Sequence, residues 1–98
     1  MSTVLLDSTI VRSSDQVSTD LGGEAVILGL QSQEYFGLED VGARIWEIIR
    51  ESKTVRDIMD TLLNDYDVEP KRCERDLLAV LQEMADEGLI EIKNETIR

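Results

Sequence analysis

The 98-residue chain contains no histidine, one cysteine, one proline and only four aromatic residues. Without histidine there can be no Ser-His-Asp triad, Cys-His pair or His-ligated metal, and a single cysteine cannot build a zinc site or an internal disulfide. Cys73 falls in a helical pattern, which suits a packed thiol in a reducing compartment and a cytoplasmic protein. Positive charge is scarce as well: ten Lys plus Arg stand against twenty-one Asp plus Glu, a net charge of -11. Attraction to phosphate backbones or anionic headgroups needs clustered positive charge, so neither nucleic acid nor membrane is expected as a partner. Basic or apolar partners fit better. No stretch approaches the roughly 20 apolar residues that span a bilayer, and the N-terminal "MSTVLLDSTIVRSSD" lacks a basic start and a long apolar run.

What is present is enough for one core. A hydrophobic fraction of 42% is ordinary for a globular protein, and a chain of this length buries roughly 60 to 65% of its unfolded surface. One domain over residues 1–98 is expected, with no internal repeat, low-complexity tract or linker.

The first third has the period of strands: Thr9 to Arg12, Val17 to Leu21, Glu24 to Leu30 and Glu34 to Leu38. Gly22-Gly23 tolerates the positive φ of a tight hairpin turn, and a second turn is expected near Gln31-Ser32. The period then becomes helical. Val41, Ile45, Ile48 and Ile49 form one apolar arc, with Asp40 as N-cap. Thr54 caps a second helix that carries Val55, Ile58, Met59, Leu62, Leu63 and Tyr66 on one face. A third begins near Pro70, where a missing N–H costs nothing, and buries Cys73, Leu77, Leu78, Val80, Leu81, Met84 and Ala85. Gly88 ends it, and "LIEI" at 89–92 alternates as a short terminal strand. The fold class is therefore α+β and winged helix-turn-helix-like: an N-terminal three-stranded antiparallel sheet followed by three helices.

Catalytic readings find little support. Acid pairs such as Asp57 and Asp60, or Glu83 and Glu87, are what so acidic a chain produces on solvated helix faces. "LGGE" is a turn without the basic residue or following helix that a phosphate cradle needs. Ser8 in "DST" precedes a strand-like segment, unlike the prosthetic serine of an acyl carrier. A DNA-reading third helix should be basic, yet residues 69–87 hold Lys71, Arg72 and Arg75 against Glu69, Glu74, Asp76, Glu83, Asp86 and Glu87.

The strand Glu34 to Leu38 is different. Two consecutive hairpins leave an end strand with unpaired N–H and C=O groups, and such an edge accepts a foreign strand. Phe36 and Leu38 should point to one face and Tyr35 and Gly37 to the other, so one aromatic can enter the core while its neighbour faces whatever docks outside, and Gly37 would let another backbone come close. The margin of the third helix, with Cys73 and Val80 flanked by Arg72, Asp76 and Glu83, offers an opposite wall. The plainer account makes each of these residues ordinary core or surface.

The runs "YFGLEDVGARIWEII", "TVRDIMDTLL" and "RDLLAVLQEMADEGLI" resemble the PqqD-like family, the RiPP precursor-peptide recognition elements of ribosomal natural-product pathways. The resemblance covers residues 17–92, leaving an N-terminal segment, 1–15, partly outside it, and is most similar to the stand-alone lasso-peptide biosynthesis type. It implies a non-catalytic peptide chaperone without cofactor or metal. Such a protein binds the leader region of a precursor peptide as an antiparallel strand against the third helix. It implies Glu34, Tyr35, Phe36 and Gly37 on the pairing strand, and Arg72, Cys73, Asp76, Leu77 and Val80 on the helix side. The implied partners are the precursor leader peptide, a transglutaminase-like leader peptidase and an asparagine-synthetase-like cyclase. A peptide chaperone for a radical SAM enzyme is the near alternative, and a winged-helix transcriptional regulator the remote one.

Overall fold

The computed structural model describes residues 3–20 and 22–94. Leu21, the expected end of the second strand, lies outside the described residues. Among the described residues nine elements follow one another: β1 (Thr9–Arg12), β2 (Gln16–Asp20), β3 (Glu24–Gly29), β4 (Tyr35–Glu39), α1 (Val41–Ile48), β5 (Lys53–Thr54), α2 (Val55–Asp65), α3 (Pro70–Asp86) and β6 (Ile90–Lys93).

β2, β3 and β4 form a three-stranded antiparallel meander, followed by the three helices. Gly22 and Gly23 both take positive φ, 54° and 91°, in the first turn, the region a Cβ disfavours. β1 stays out of this sheet. It lies between β5 and β6 in a second antiparallel sheet, pairing Thr9 with Thr54 and Ile10 with Ile92. The two-residue β5 carries no alternation of its own, so only its partner reveals it. Val55 adds an N–H to the carbonyl of Ser8 at 3.0 Å.

The helix ends follow local chemistry. Thr54 accepts the N–H of Asp57 at 3.2 Å, the expected N-cap. Asp40 occupies the N-cap position of α1 but makes no side-chain cap; its φ of 53° turns the side chain away, and only its carbonyl joins the helix, accepting from Arg44. Pro70 opens α3. Gly88, at φ 78°, closes it: its N–H reaches Ala85 and that of Leu89 reaches Met84, both at 3.0 Å, so two orphan carbonyls are satisfied.

The core joins both sheets to the helices. Ile10, Ile27, Trp46, Val55, Ile58 and Leu81 are wholly buried. Arg12 crosses from β1 to α1, donating its Nε to the Trp46 carbonyl at 3.2 Å and stacking over the Trp46 ring at 4.3 Å. This packing fixes α1 behind β3 and β4 and leaves the outer side of β4 uncovered.

Candidate functional site

Among the described residues β4 has one strand neighbour, β3. Gly29 donates its N–H to the carbonyl of Glu34 at 2.9 Å. Hydrogen-bonded and non-hydrogen-bonded pairs alternate in an antiparallel ladder, so the bonded pairs fall at Ile27–Phe36 and Ala25–Leu38. The main-chain groups of Tyr35, Gly37 and Glu39 therefore turn to the side without a strand. Side chains alternate in the other direction: Phe36 and Leu38 pack on the core, while Tyr35 is 73% exposed. Nothing lies within 4 Å of where a Cβ on Gly37 would stand. The open edge thus presents unpaired donors and acceptors beside an unobstructed backbone.

Facing this edge is α3. Tyr35, Phe36, Gly37 and Leu38 line one side of a hollow of about 410 Å³, with Val80, Glu83, Met84, Glu87 and Leu89 on the other. A second, almost wholly apolar cavity of about 160 Å³ lies toward the start of α3, between Val41, Ile45, Leu62, Tyr66 and Val68 and the helix residues Arg72, Cys73, Asp76, Leu77 and Val80. Val80 lines both, so the two make one groove along α3. Residues 73, 76 or 77, 80, 84 and 87 recur at three- and four-residue intervals, the spacing of one helix face. Val80 also lines the cavity beside Val41, just past the end of β4, so the Val80 end of the helix wall lies toward Leu38 and the Glu87 end toward Tyr35, and α3 runs antiparallel to β4.

Burial sets the chemistry of the apolar half. The Cys73 thiol is pushed above its usual pKa, first by desolvation and then by the Asp76 charge, so it remains protonated. Asp76 sits 3.7 Å from both Arg72 and Arg75 on the rim. These groups are mostly exposed, so the pairs orient side chains more than they stabilise the fold.

Eight of the nine residues expected at the site line this groove: Tyr35, Phe36 and Gly37 the hollow, and Arg72, Cys73, Asp76, Leu77 and Val80 the cavity, with Val80 in both. Glu34 is exposed and lines neither; its carbonyl is taken by Gly29. Leu77, 2% exposed, is floor rather than wall. The helix side extends beyond expectation to Met84 and Glu87. Continuing the interval from Val80 by four and then three residues would have found both. Val41, Tyr66 and Val68 come from other elements, and no local spacing in the sequence points to them.

The outer face of the meander carries a second feature. The register aligns Val17, Leu28 and Tyr35 across three strands, with Val17 56% exposed. No group of three or more His, Cys, Asp or Glu among the described residues could hold a metal ion, and no described helix is long and apolar enough to cross a membrane.

The family model for PqqD, coenzyme PQQ synthesis protein D, matches residues 24–90, from the first residue of β3 to the start of β6. The chain belongs to the PqqD family. Among solved structures, this PqqD-family chain is similar to TbiB1 in complex with the TbiA(beta) leader peptide: 38% identical over 83% of this chain and 94% of that one, with a TM-score of 0.80. A lasso peptide synthetase B1 complexed with its leader peptide shares the fold, at 22% identity and a TM-score of 0.68, covering 84% of this chain and 96% of that one. No curated protein matches. The PqqD-family match spans the open strand and all of α3, both walls of the groove.

Proposed function

We propose that this protein binds the leader region of a ribosomally made precursor peptide as an extra antiparallel strand on β4, facing α3, and performs no chemistry itself. The observation that carries this reading is the free row of main-chain groups at Tyr35, Gly37 and Glu39 beside an apolar groove. Strand addition draws affinity from main-chain hydrogen bonds and specificity from side-chain pockets, and both are built here. The 38% identity to TbiB1, whose structure holds a leader peptide, supports the same reading. In it, Glu34, Tyr35, Phe36 and Gly37 belong to the pairing strand, and Arg72, Cys73, Asp76, Leu77 and Val80 to the opposite wall.

Delivery of the bound precursor to a transglutaminase-like leader peptidase and an asparagine-synthetase-like cyclase, in cytoplasmic lasso-peptide biosynthesis, completes the proposal. The Val17–Leu28–Tyr35 row, exposed at Val17 and Tyr35, supports the delivery step, because an added strand would extend that face beside an apolar surface that a second protein can cover. Service to a radical SAM enzyme is the second reading, favoured by the match to coenzyme PQQ synthesis protein D.

Titration with the synthetic leader encoded beside the gene tests the proposal. Binding tighter than about 100 μM, roughly -5.5 kcal/mol, is expected, and its absence sinks the idea. A gel shift at low salt separates the regulator reading, since even nonspecific DNA affinity appears there. The acid-rich exposed surface of α3, with Arg72 and Arg75 both set against Asp76, argues against that outcome.

A further inference from the structure

Charge is distributed unevenly along the groove. At the α1 end the lining is apolar, and its rim carries Arg72 beside Asp76. At the Tyr35 end the floor remains apolar, with Met84 and Leu89, but the helix wall carries Glu83 and Glu87, and no Lys or Arg lines the hollow. Both glutamates are exposed. No ion pair among the described residues engages either one, although Arg44, Arg50, Arg56, Arg72 and Arg75 all stand against acids elsewhere. Like charges four residues apart work against helix stability, so these two carboxylates bring α3 no local benefit.

Strand polarity says which part of a guest meets them. An antiparallel guest on β4 has its N-terminal part near Leu38 and the apolar cavity, and its C-terminal part near Tyr35, leaving between the strand edge and the Glu83–Glu87 turn of α3. We infer that the groove selects its peptide by charge at this end: the guest segment leaving past Tyr35 is basic, and Glu83 and Glu87 are the residues that read it. This rests on the leader-binding function proposed above and adds the chemistry of the recognised segment. The two carboxylates attract lysine or arginine there and repel acidic segments, so complementarity acts at one position rather than through the net charge alone.

The test uses the leader peptide encoded beside the gene, synthesised as a set in which successive residue pairs are replaced by Lys-Lys or by Glu-Glu, each titrated calorimetrically. In one window, at the C-terminal end of the segment that pairs with β4, the Lys-Lys peptide should bind about tenfold more tightly than the Glu-Glu peptide in dilute buffer. The gap should shrink toward about twofold near 0.5 M salt, where screening acts within roughly 4 Å. The E83Q/E87Q double variant should abolish that preference while melting like the parent, because both side chains are exposed. Binding with equal Lys and Glu affinities in every window, or a preference that survives E83Q/E87Q, overturns the inference and leaves the leader-binding function intact. Failure of every peptide, the unaltered leader included, instead removes that function and the inference with it.

Discussion

Gly37 stands opposite Val26 in the β3–β4 ladder at a position where neither residue gives its main-chain groups to the other. Val26 turns its groups toward β2, and Gly37 turns its own toward the groove. The sheet therefore holds together without the Gly37 N–H, which is left free for a guest.

Replacing Gly37 by proline removes that N–H without touching the ladder. Peptide affinity should fall at least about tenfold, while folding stability changes by only about 1–2 kcal/mol from the constrained φ. Gly37→Ala should leave folding stability nearly unchanged, since a Cβ there meets nothing within 4 Å, and should keep more affinity than the proline variant because its N–H remains. Calorimetric titration and thermal melts of both variants check this; unchanged affinity in a folded proline variant would move the pairing edge elsewhere.

Val80 and Leu77 lie one turn apart on the groove face and should respond differently. Val80 is half-buried and lines both parts of the groove, so Val80→Lys should weaken peptide binding more than about tenfold while lowering stability by about 1 kcal/mol or less, its ammonium reaching solvent. Leu77 is 2% exposed, and Leu77→Ala should cost about 2–5 kcal/mol of stability through the cavity it leaves. Urea denaturation and titration in parallel separate wall from floor.

The Cys73 thiol offers a probe of occupancy. Its pKa is raised by burial and by Asp76, so at pH 8 less thiolate is present than on a free cysteine, and alkylation by iodoacetamide should be correspondingly slow in the native protein. The folded state favours the protonated thiol, so the stability it contributes is full below the ordinary value of 9.0 and declines as pH rises above it. Bound leader peptide should slow alkylation further, because the cavity that Cys73 lines is then covered; mass spectrometry of timed quenches reads both effects.

Arg12 tests the fold without touching the groove. Arg12→Ala removes its hydrogen bond to the Trp46 carbonyl and its contact with the indole ring, and should cost about 1–3 kcal/mol in urea. Arg12→Lys should recover only part of this, because an ammonium lacks the planar fork. Leader affinity, corrected for the folded fraction, should remain at the parent value.

Much of this molecule was legible in one dimension. The period-two runs placed β2, β3 and β4, and the switch to helical period at Val41 placed α1. Thr54, Pro70 and Gly88 marked helix ends because each acts through its own backbone or its nearest neighbours. That Tyr35 and Gly37 share one face and Phe36 and Leu38 the other followed from alternation, whereas the core decided that the Tyr35 face is the outer one. Asp40 was legible in position but not in action, because its left-handed φ depends on how the chain leaves β4 for α1. β5 was illegible, having two residues and no pattern apart from β1.

The sequence by itself determined which segments are strands and helices, which face of each is apolar, and that no histidine chemistry takes place, because these depend on residue type and on spacings within one segment. Tertiary structure alone decided that β1 leaves the meander to pair with β5 and β6, that Val41, Tyr66 and Val68 meet α3 around one cavity, and that Glu83 and Glu87 overlook the open edge of β4. Those relationships join residues on separate elements, most of them tens of positions apart. Their distances follow from how the shared core around Trp46, Ile58 and Leu81 is packed, and no local period encodes that packing.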